Sequence, residues 1–260
     1  MTKRWSALLG LAFVLFVGVT ACGGGKKAKS VNPEPKELSL AEKVRMADSF
    51  RNAGRMNEAL ELLRETVEKN GENGQLHRVY GEYLFLAGRY QEAEVALNRA
   101  LEIDPYLTDA RNWLGAALTE QERFDEARQQ YRKALDDPSY PSPQLIYLNL
   151  GVLYRKQGMD QKGIDEFRRA VQIDPRFHKA HFELALALES IGSFGEALDE
   201  IIVAEPSFRA DGEYWYRRGF LEFRATTPQD AMESLRRCID VSPGSPAAAK
   251  ARELMEVIEG

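Results

Sequence analysis

Cysteine is nearly absent from this chain, with only Cys22 and Cys238 among 260 residues. A framework of several disulfides is therefore excluded, and if Cys22 is otherwise engaged no disulfide can form within the chain. Excess positive charge is missing too. The 35 basic side chains are outnumbered by 40 acidic ones, for a formal net charge of −5, so no basic face is offered to nucleic acid. Glycine-rich phosphate loops and a Gly-x-Ser-x-Gly elbow are absent, which removes the commonest nucleotide and acyl-transfer signatures. Histidine is scarce. His178 and His181 have an i, i+3 spacing that could suit a metal, but no carboxylate or cysteine completes a clear ligand set. The many Asp and Glu residues fall mostly on solvated helix faces. The expectation is a binding protein rather than an enzyme, with no cofactor, metal, small-molecule substrate or nucleic-acid partner.

Lys3 and Arg4 precede an apolar run from Leu8 to Val19. The run is shorter than the ~20 residues of a membrane span and ends in small residues, as a secretory signal does. Val19-Thr20-Ala21-Cys22 then resembles the bacterial lipobox. That resemblance implies a signal peptide over 1–21, cleavage before Cys22, and acylation of Cys22. Several buried acyl chains, at ~0.8 kcal/mol per methylene, would hold the chain at a membrane. Gly23, where a retained inner-membrane lipoprotein carries aspartate, implies the outer membrane, with the domain on its periplasmic face. Residues 22–39 read as a lipidated tether: Gly23-Gly24-Gly25, then Lys26, Lys27 and Lys29, then Pro33 and Pro35. Its average reach is about 20–25 Å.

Three series of small residues run in register through the rest. Ala59, Ala93, Ala127, Gly163, Ala197 and Ala231 are separated by 34, 34, 36, 34 and 34 residues. Ala47, Gly81, Gly115, Gly151, Ala185 and Gly219 keep step twelve residues earlier, and Thr66, Ala100, Ala134, Ala170, Ala204 and Cys238 seven residues later. A repeat of this length is one supersecondary unit stacked on its neighbours, and small residues mark where helices cross closely. The register predicts the first-helix small residue against the second-helix small residue, with Leu63, Leu97, Tyr131, Phe167, Ile201 and Leu235 filling the gaps. Cys238 is expected to be buried. Gly54, Gly88, Gly158 and Gly192 punctuate the units where a helix ends in a left-handed turn, and Pro105, Pro175 and Pro243 follow second helices. Glu122 and Thr226 stand where the turn glycine is expected, and Gly71 and Arg209 where the final proline is.

The fragments Leu114-Gly115, Gly151-Val152-Leu153-Tyr154 and Phe167 to Pro175 resemble the tetratricopeptide repeat family. That resemblance implies an all-α fold, a right-handed superhelical solenoid of six repeats (40–73, 74–107, 108–143, 144–177, 178–211 and 212–244, together 40–244), with a C-terminal capping helix over 245–260. His181 then falls at a position usually held by a buried aromatic.

First helices line the inner face of such a solenoid. Val44, Asp48, Arg51, Arg78, Glu82, Phe85, Asn112, Ala116 and Thr119 are the lining residues of units one to three. Leu145, Leu148, Val152, Phe182, Leu186, Tyr216, Phe220 and Phe223 line units four to six. The second set is much more apolar, and with Phe85 it forms the candidate partner-binding surface, a groove of the kind that takes a helix or an extended segment. Coverage by superhelical curvature or by the C-terminal helix is the competing reading.

The one interval of 36 holds Asp137-Pro138-Ser139-Tyr140-Pro141-Ser142-Pro143 and leads into Leu148-Asn149-Leu150-Gly151. Its three prolines are expected to stiffen the junction between the halves. Together with six repeats behind a lipobox, this junction resembles the type IV pilus pilotin family (PilF/PilW/Tgl). The resemblance implies binding of secretin subunits of the type IV pilus and help in their outer-membrane localisation and assembly. The alternatives are a lipoprotein subunit of the β-barrel assembly machinery and an adaptor for a periplasmic protease or peptidoglycan enzyme.

Overall fold

The computed structural model describes residues 38–226 and 228–260. Cys22, the signal segment and nearly all of the expected tether lie outside the described residues. Ser39, the tether's last residue, caps the first helix. It accepts from the Glu42 backbone at 3.3 Å while Glu42 accepts from the Ser39 backbone N–H at 2.8 Å, a reciprocal pair that satisfies two orphan donors.

Among the described residues there are thirteen α-helices and no strand. They are α1 Leu40–Asn52, α2 Met56–Lys69, α3 Gly74–Leu86, α4 Tyr90–Ile103, α5 Thr108–Glu120, α6 Phe124–Leu135, α7 Pro143–Lys156, α8 Asp160–Ile173, α9 His178–Ser190, α10 Phe194–Phe208, α11 Gly212–Ala225, α12 Pro228–Val241 and α13 Pro246–Glu259. Each odd-numbered helix through α11 packs on the helix after it, and each even-numbered helix packs on the next odd-numbered one, giving a solenoid of helix pairs in which α13 closes the end against α11 and α12. Pro143 and Pro246 sit in the first turns of α7 and α13, where the missing N–H costs nothing.

The small residues are seats for large ones. A Cβ on Gly81 would come within 2.6 Å of the Leu97 side chain, and one on Gly115 within 2.6 Å of the Tyr131 ring. The first-helix glycine thus meets the bulky residue one turn beyond the second-helix small residue, and the small residues also meet as the register expects: a Cβ on Gly81 would lie 3.3 Å from the Ala93 carbonyl and one on Gly163 3.1 Å from that of Gly151. Leu63, Leu97, Tyr131, Phe167, Ile201 and Leu235 are all buried, each worth about 1.5–3 kcal/mol of transfer free energy. The third series is buried throughout, Cys238 included.

Four inter-helix turns carry glycine at φ between +72° and +79°. Glu122 adopts the same conformation at φ 59°, the one non-glycine residue with positive φ among the described residues. Thr226 does not; its φ is −128°. Arg209 stands just beyond α10, which carries Pro206 in its last turn.

The apolar interior divides at α7. Ile146, Leu150 and Leu153 join the cluster built by α1–α6, whereas Leu148 joins the cluster built by α8–α13, and Tyr147 touches both. The loop before α7 is held by side chains as well as by its prolines. Thr108 Oγ1 donates to Asp137 at 2.6 Å, the Ser139 N–H to the same carboxylate at 3.0 Å, and Tyr140 OH to Asp109 at 2.8 Å. The hydroxyl and amide donors hold the Asp137 carboxyl below its ordinary range, while burial and Asp109 push the Tyr140 phenol up.

Candidate inner-face binding site

Helices α3, α5, α7 and α9 bring their inward faces together because each is one half of a helix pair and each of them touches the next. Between them lies a cavity of about 340 Å³. Its apolar walls are Phe85, Trp113, Leu145, Leu148, Val152 and Phe177. The Phe85 and Trp113 rings are 5.3 Å apart, tilted at 55°, an arrangement that suits the aromatic quadrupoles. Leu148 is 3 % exposed and forms the floor, while Phe85, Leu145 and Val152 are half-buried.

The polar groups around the cavity are mostly engaged. Asn149 Nδ2 donates to Asn112 Oδ1 at 2.8 Å. Lys156 pairs with Glu120 at 2.8 Å and Arg155 with Glu183 at 3.1 Å. Thr119 Oγ1 donates to the Gly115 carbonyl at 2.8 Å and lies 3.4 Å from the buried Tyr131 OH. Burial pushes the Tyr131 phenol up, so it stays neutral.

The cavity gathers four residues of the candidate partner surface, Phe85, Leu145, Leu148 and Val152, together with Ala116 and Thr119 of the assigned lining. The others lie further along. Phe182 stacks on Phe208 at 4.6 Å and packs on the second core cluster. Tyr216 is half-buried with Lys250 of α13 at 5.5 Å from its ring. Phe223 packs on the same cluster, Leu186 is half-buried, and Phe220 meets Phe194 edge-on at 6.3 Å under Arg224. Helix α13 thus reaches the last unit's aromatic face.

Sequence reasoning missed Trp113, Asn149 and Glu183, and with them Phe177, Glu120 and Lys179. The first three occupy one register position, a single residue beyond the assigned Asn112, Leu148 and Phe182. Asn112, assigned to the lining, is 6 % exposed and does not reach the cavity but holds Asn149, whereas Thr119, 2 % exposed, lines it. The signal was Trp113 itself, a large ring next to the assigned position. A larger hollow, about 750 Å³, also went unanticipated; it lies between α2 and α4 and is lined by Val67, Tyr80, Leu84 and Val95. Val95, 71 % exposed, stands where the other units carry Glu61, Gln129, Asp165, Asp199 and Glu233.

His178 and His181 do not converge. His178 Nδ1 lies 2.7 Å from Ser207 Oγ, whereas His181 is buried between Glu200 at 2.5 Å and the Pro175 carbonyl at 3.1 Å. Glu200 is a carboxylate partner the sequence did not reveal. Among the described residues no three His, Cys, Asp or Glu side chains cluster as metal ligands.

Sequence profiles of the tetratricopeptide repeat match residues 44–107 and 114–176, and a second such profile matches 84–139, so that together they span half of the chain. A probable UDP-N-acetylglucosamine–peptide N-acetylglucosaminyltransferase SPINDLY of Hordeum vulgare is 23 % identical over 69 % of this chain and 20 % of its own length. The chain spans about a fifth of the length of the first curated relatives it matches. The type IV pilus assembly protein PilF of Pseudomonas aeruginosa is 21 % identical over 67 % of this chain and 70 % of its own length. Among solved structures, PilW, described as a widely conserved type IV pilus biogenesis factor, superposes with a TM-score of 0.69 at 20 % identity, covering 84 % of this chain and 97 % of PilW.

Proposed function

This chain belongs to the tetratricopeptide-repeat family, and on that premise we propose that it is a lipid-anchored pilotin, binding secretin subunits of the type IV pilus and promoting their localisation and assembly in the outer membrane. The observation that carries the reading is the extent of the likeness to pilus proteins. The repeat domain matches PilF over 70 % of that protein and PilW over 97 %, against a fifth of the glycosyltransferase. A tetratricopeptide fold is shared by many activities and names none by itself. The lipobox at Cys22 and the proline-containing junction before α7 support the same reading. In it the lipid supplies location and the inner face supplies recognition; no chemistry is assigned to any side chain.

The inner-face cavity is the proposed recognition site, with Phe85, Leu145, Leu148 and Val152 as anchoring walls and Trp113 and Phe177 beside them. Apolar pockets with a few fixed polar groups are where binding energy concentrates. Leu145 is the informative residue. It lines the cavity, is half-buried, and belongs to neither core cluster, so a charge there acts on binding before folding.

The test is genetic and biochemical. Deletion should abolish surface pili and assembled secretin in outer-membrane fractions while leaving general porins intact; loss of porins as well would point instead to a β-barrel assembly role. Leu145→Glu should lose secretin co-purification with an unchanged melting temperature. Phe220→Glu, in the C-terminal aromatic stripe, should lose less. Normal pili and secretin assembly in the deletion strain would refute the reading.

A further inference from the structure

The cavity on the inner face is apolar, but its rim is not electrically neutral. Three charged residues line it in addition to the apolar walls: Glu120, Lys179 and Glu183. Glu120 is neutralised by Lys156 at 2.8 Å, and Glu183 by Arg155 at 3.1 Å. Lys179, in the first turn of α9, is exposed and makes no hydrogen bond or ion pair among the described residues. Glu183, one turn further along α9, would ordinarily be its i, i+4 partner, but Arg155 reaches across from α7 and takes that carboxylate. The rim therefore presents one uncompensated positive charge beside walls of Phe85, Trp113, Leu145 and Val152.

We propose that the occupant is a peptide segment that places a large apolar side chain in this cavity and an aspartate or glutamate, within about two residues of it, on the Lys179 ammonium. The inference rests on the reading of the inner face as the partner site and adds the partner's chemistry to it. Apolar walls supply affinity with little discrimination among apolar side chains. A single rim cation supplies the discrimination, because a basic flanking residue meets like charge while an acidic one finds an ammonium with no partner to give up. The two fixed carboxylate pairs sharpen this. Were Glu120 or Glu183 free, either would compete for Lys179 and the rim would select no sign.

The same geometry sets the order of effects. Removing the wall should remove binding altogether. Reversing the rim charge should weaken acidic ligands by about tenfold and invert the preference, an effect that shrinks as salt is raised. Neutralising the rim should weaken acidic ligands less than reversal does.

The probe is a library of random dodecapeptides displayed on phage and selected on the full-length chain. Recovered peptides, made synthetically with a fluorescent label, are then titrated against wild type, Lys179→Met, Lys179→Glu and Leu145→Glu. Wild type should recover peptides with Asp or Glu close to Leu, Phe or Trp. Lys179→Glu should bind these about tenfold more weakly and, in its own selection, recover Lys or Arg at the same place. Leu145→Glu should not bind them. Recovery of neutral or basic apolar peptides, recovery of none, or equal binding by Lys179→Glu would overturn the inference. Peptides of the expected kind that fail to compete with secretin would uphold it and count against the pilotin reading. Secretin binding lost in Leu145→Glu but unaltered in Lys179→Glu would do the reverse.

Discussion

Replacing Glu122 by glycine should stabilise the protein. Glu122 ends the first helix of the third pair at φ 59°, in the left-handed region. Its backbone makes the bonds of a glycine turn: Glu122 N–H donates to Thr119 O at 3.1 Å and Arg123 N–H to Leu118 O at 2.9 Å, as Gly88 and Arg89 donate to Phe85 and Leu84, each at 2.9 Å. Glycine therefore fits without rearrangement, and the exposed Glu122 side chain makes no hydrogen bond or ion pair that would be lost. A non-glycine residue in this conformation costs about 1–2 kcal/mol. Glycine gives back about 0.5–1 kcal/mol through the greater freedom of the unfolded chain. The net gain is about 0.5–1 kcal/mol, or about 1–4 °C in melting temperature for a domain of this size. Thermal and urea unfolding followed by circular dichroism would measure it. Glu122→Ala is the control, because alanine keeps the Cβ that causes the strain and should leave the midpoint nearly unchanged. If Glu122→Gly melts with wild type, or if Glu122→Ala gains as much, the conformational argument is wrong. Because Thr119 and Glu120 in the same turn line the cavity, unaltered partner binding in Glu122→Gly would also show that the strain is not required for recognition.

Gly115→Ala should destabilise by about 1–3 kcal/mol, since its Cβ would lie 2.6 Å from the Tyr131 ring, which itself lines the cavity; a urea midpoint equal to wild type would contradict that seat. Cys238 should resist a bulky thiol reagent in the native state and react on unfolding, because it is fully buried and burial pushes its thiol up; rapid native-state modification would refute this placement. The Asp137 clamp should be acid-sensitive. Its folded carboxyl is depressed below the ordinary value of 3.8 by Ser139 and Thr108, so the stabilisation is present above that value and is lost as pH falls through the folded one. Asp137→Ala should therefore unfold more easily than wild type near neutrality, and the difference should narrow as acid protonates the folded carboxyl; a pH-independent difference would show that the carboxylate's charge is not what matters.

The helix pairs were legible from the amino-acid sequence because their causes are local or periodic. A residue that must sit under Leu97 or Tyr131 has to be small, and a turn in the left-handed region favours glycine, so Gly81, Gly115, Gly88 and Gly158 mark their places whatever lies further away. The Ser39–Glu42 cap and the first-turn prolines Pro143 and Pro246 act over the same short range. Long-range stacking decided the rest. The sequence register found part of the lining, Ala116, Thr119, Leu145, Leu148 and Val152, but not the adjacent Trp113, Asn149 and Glu183, because how wide a face of a first helix reaches the cavity depends on how each pair rotates on its neighbour. Trp113 and Asn149 thus entered the site while Asn112 was buried beneath it. The division of the interior at α7, with Ile146 and Leu148 on different sides, has no local signature. Nor does the isolation of Lys179: along α9 alone it would pair with Glu183, and only the approach of α7 brings Arg155 close enough to take that carboxylate away.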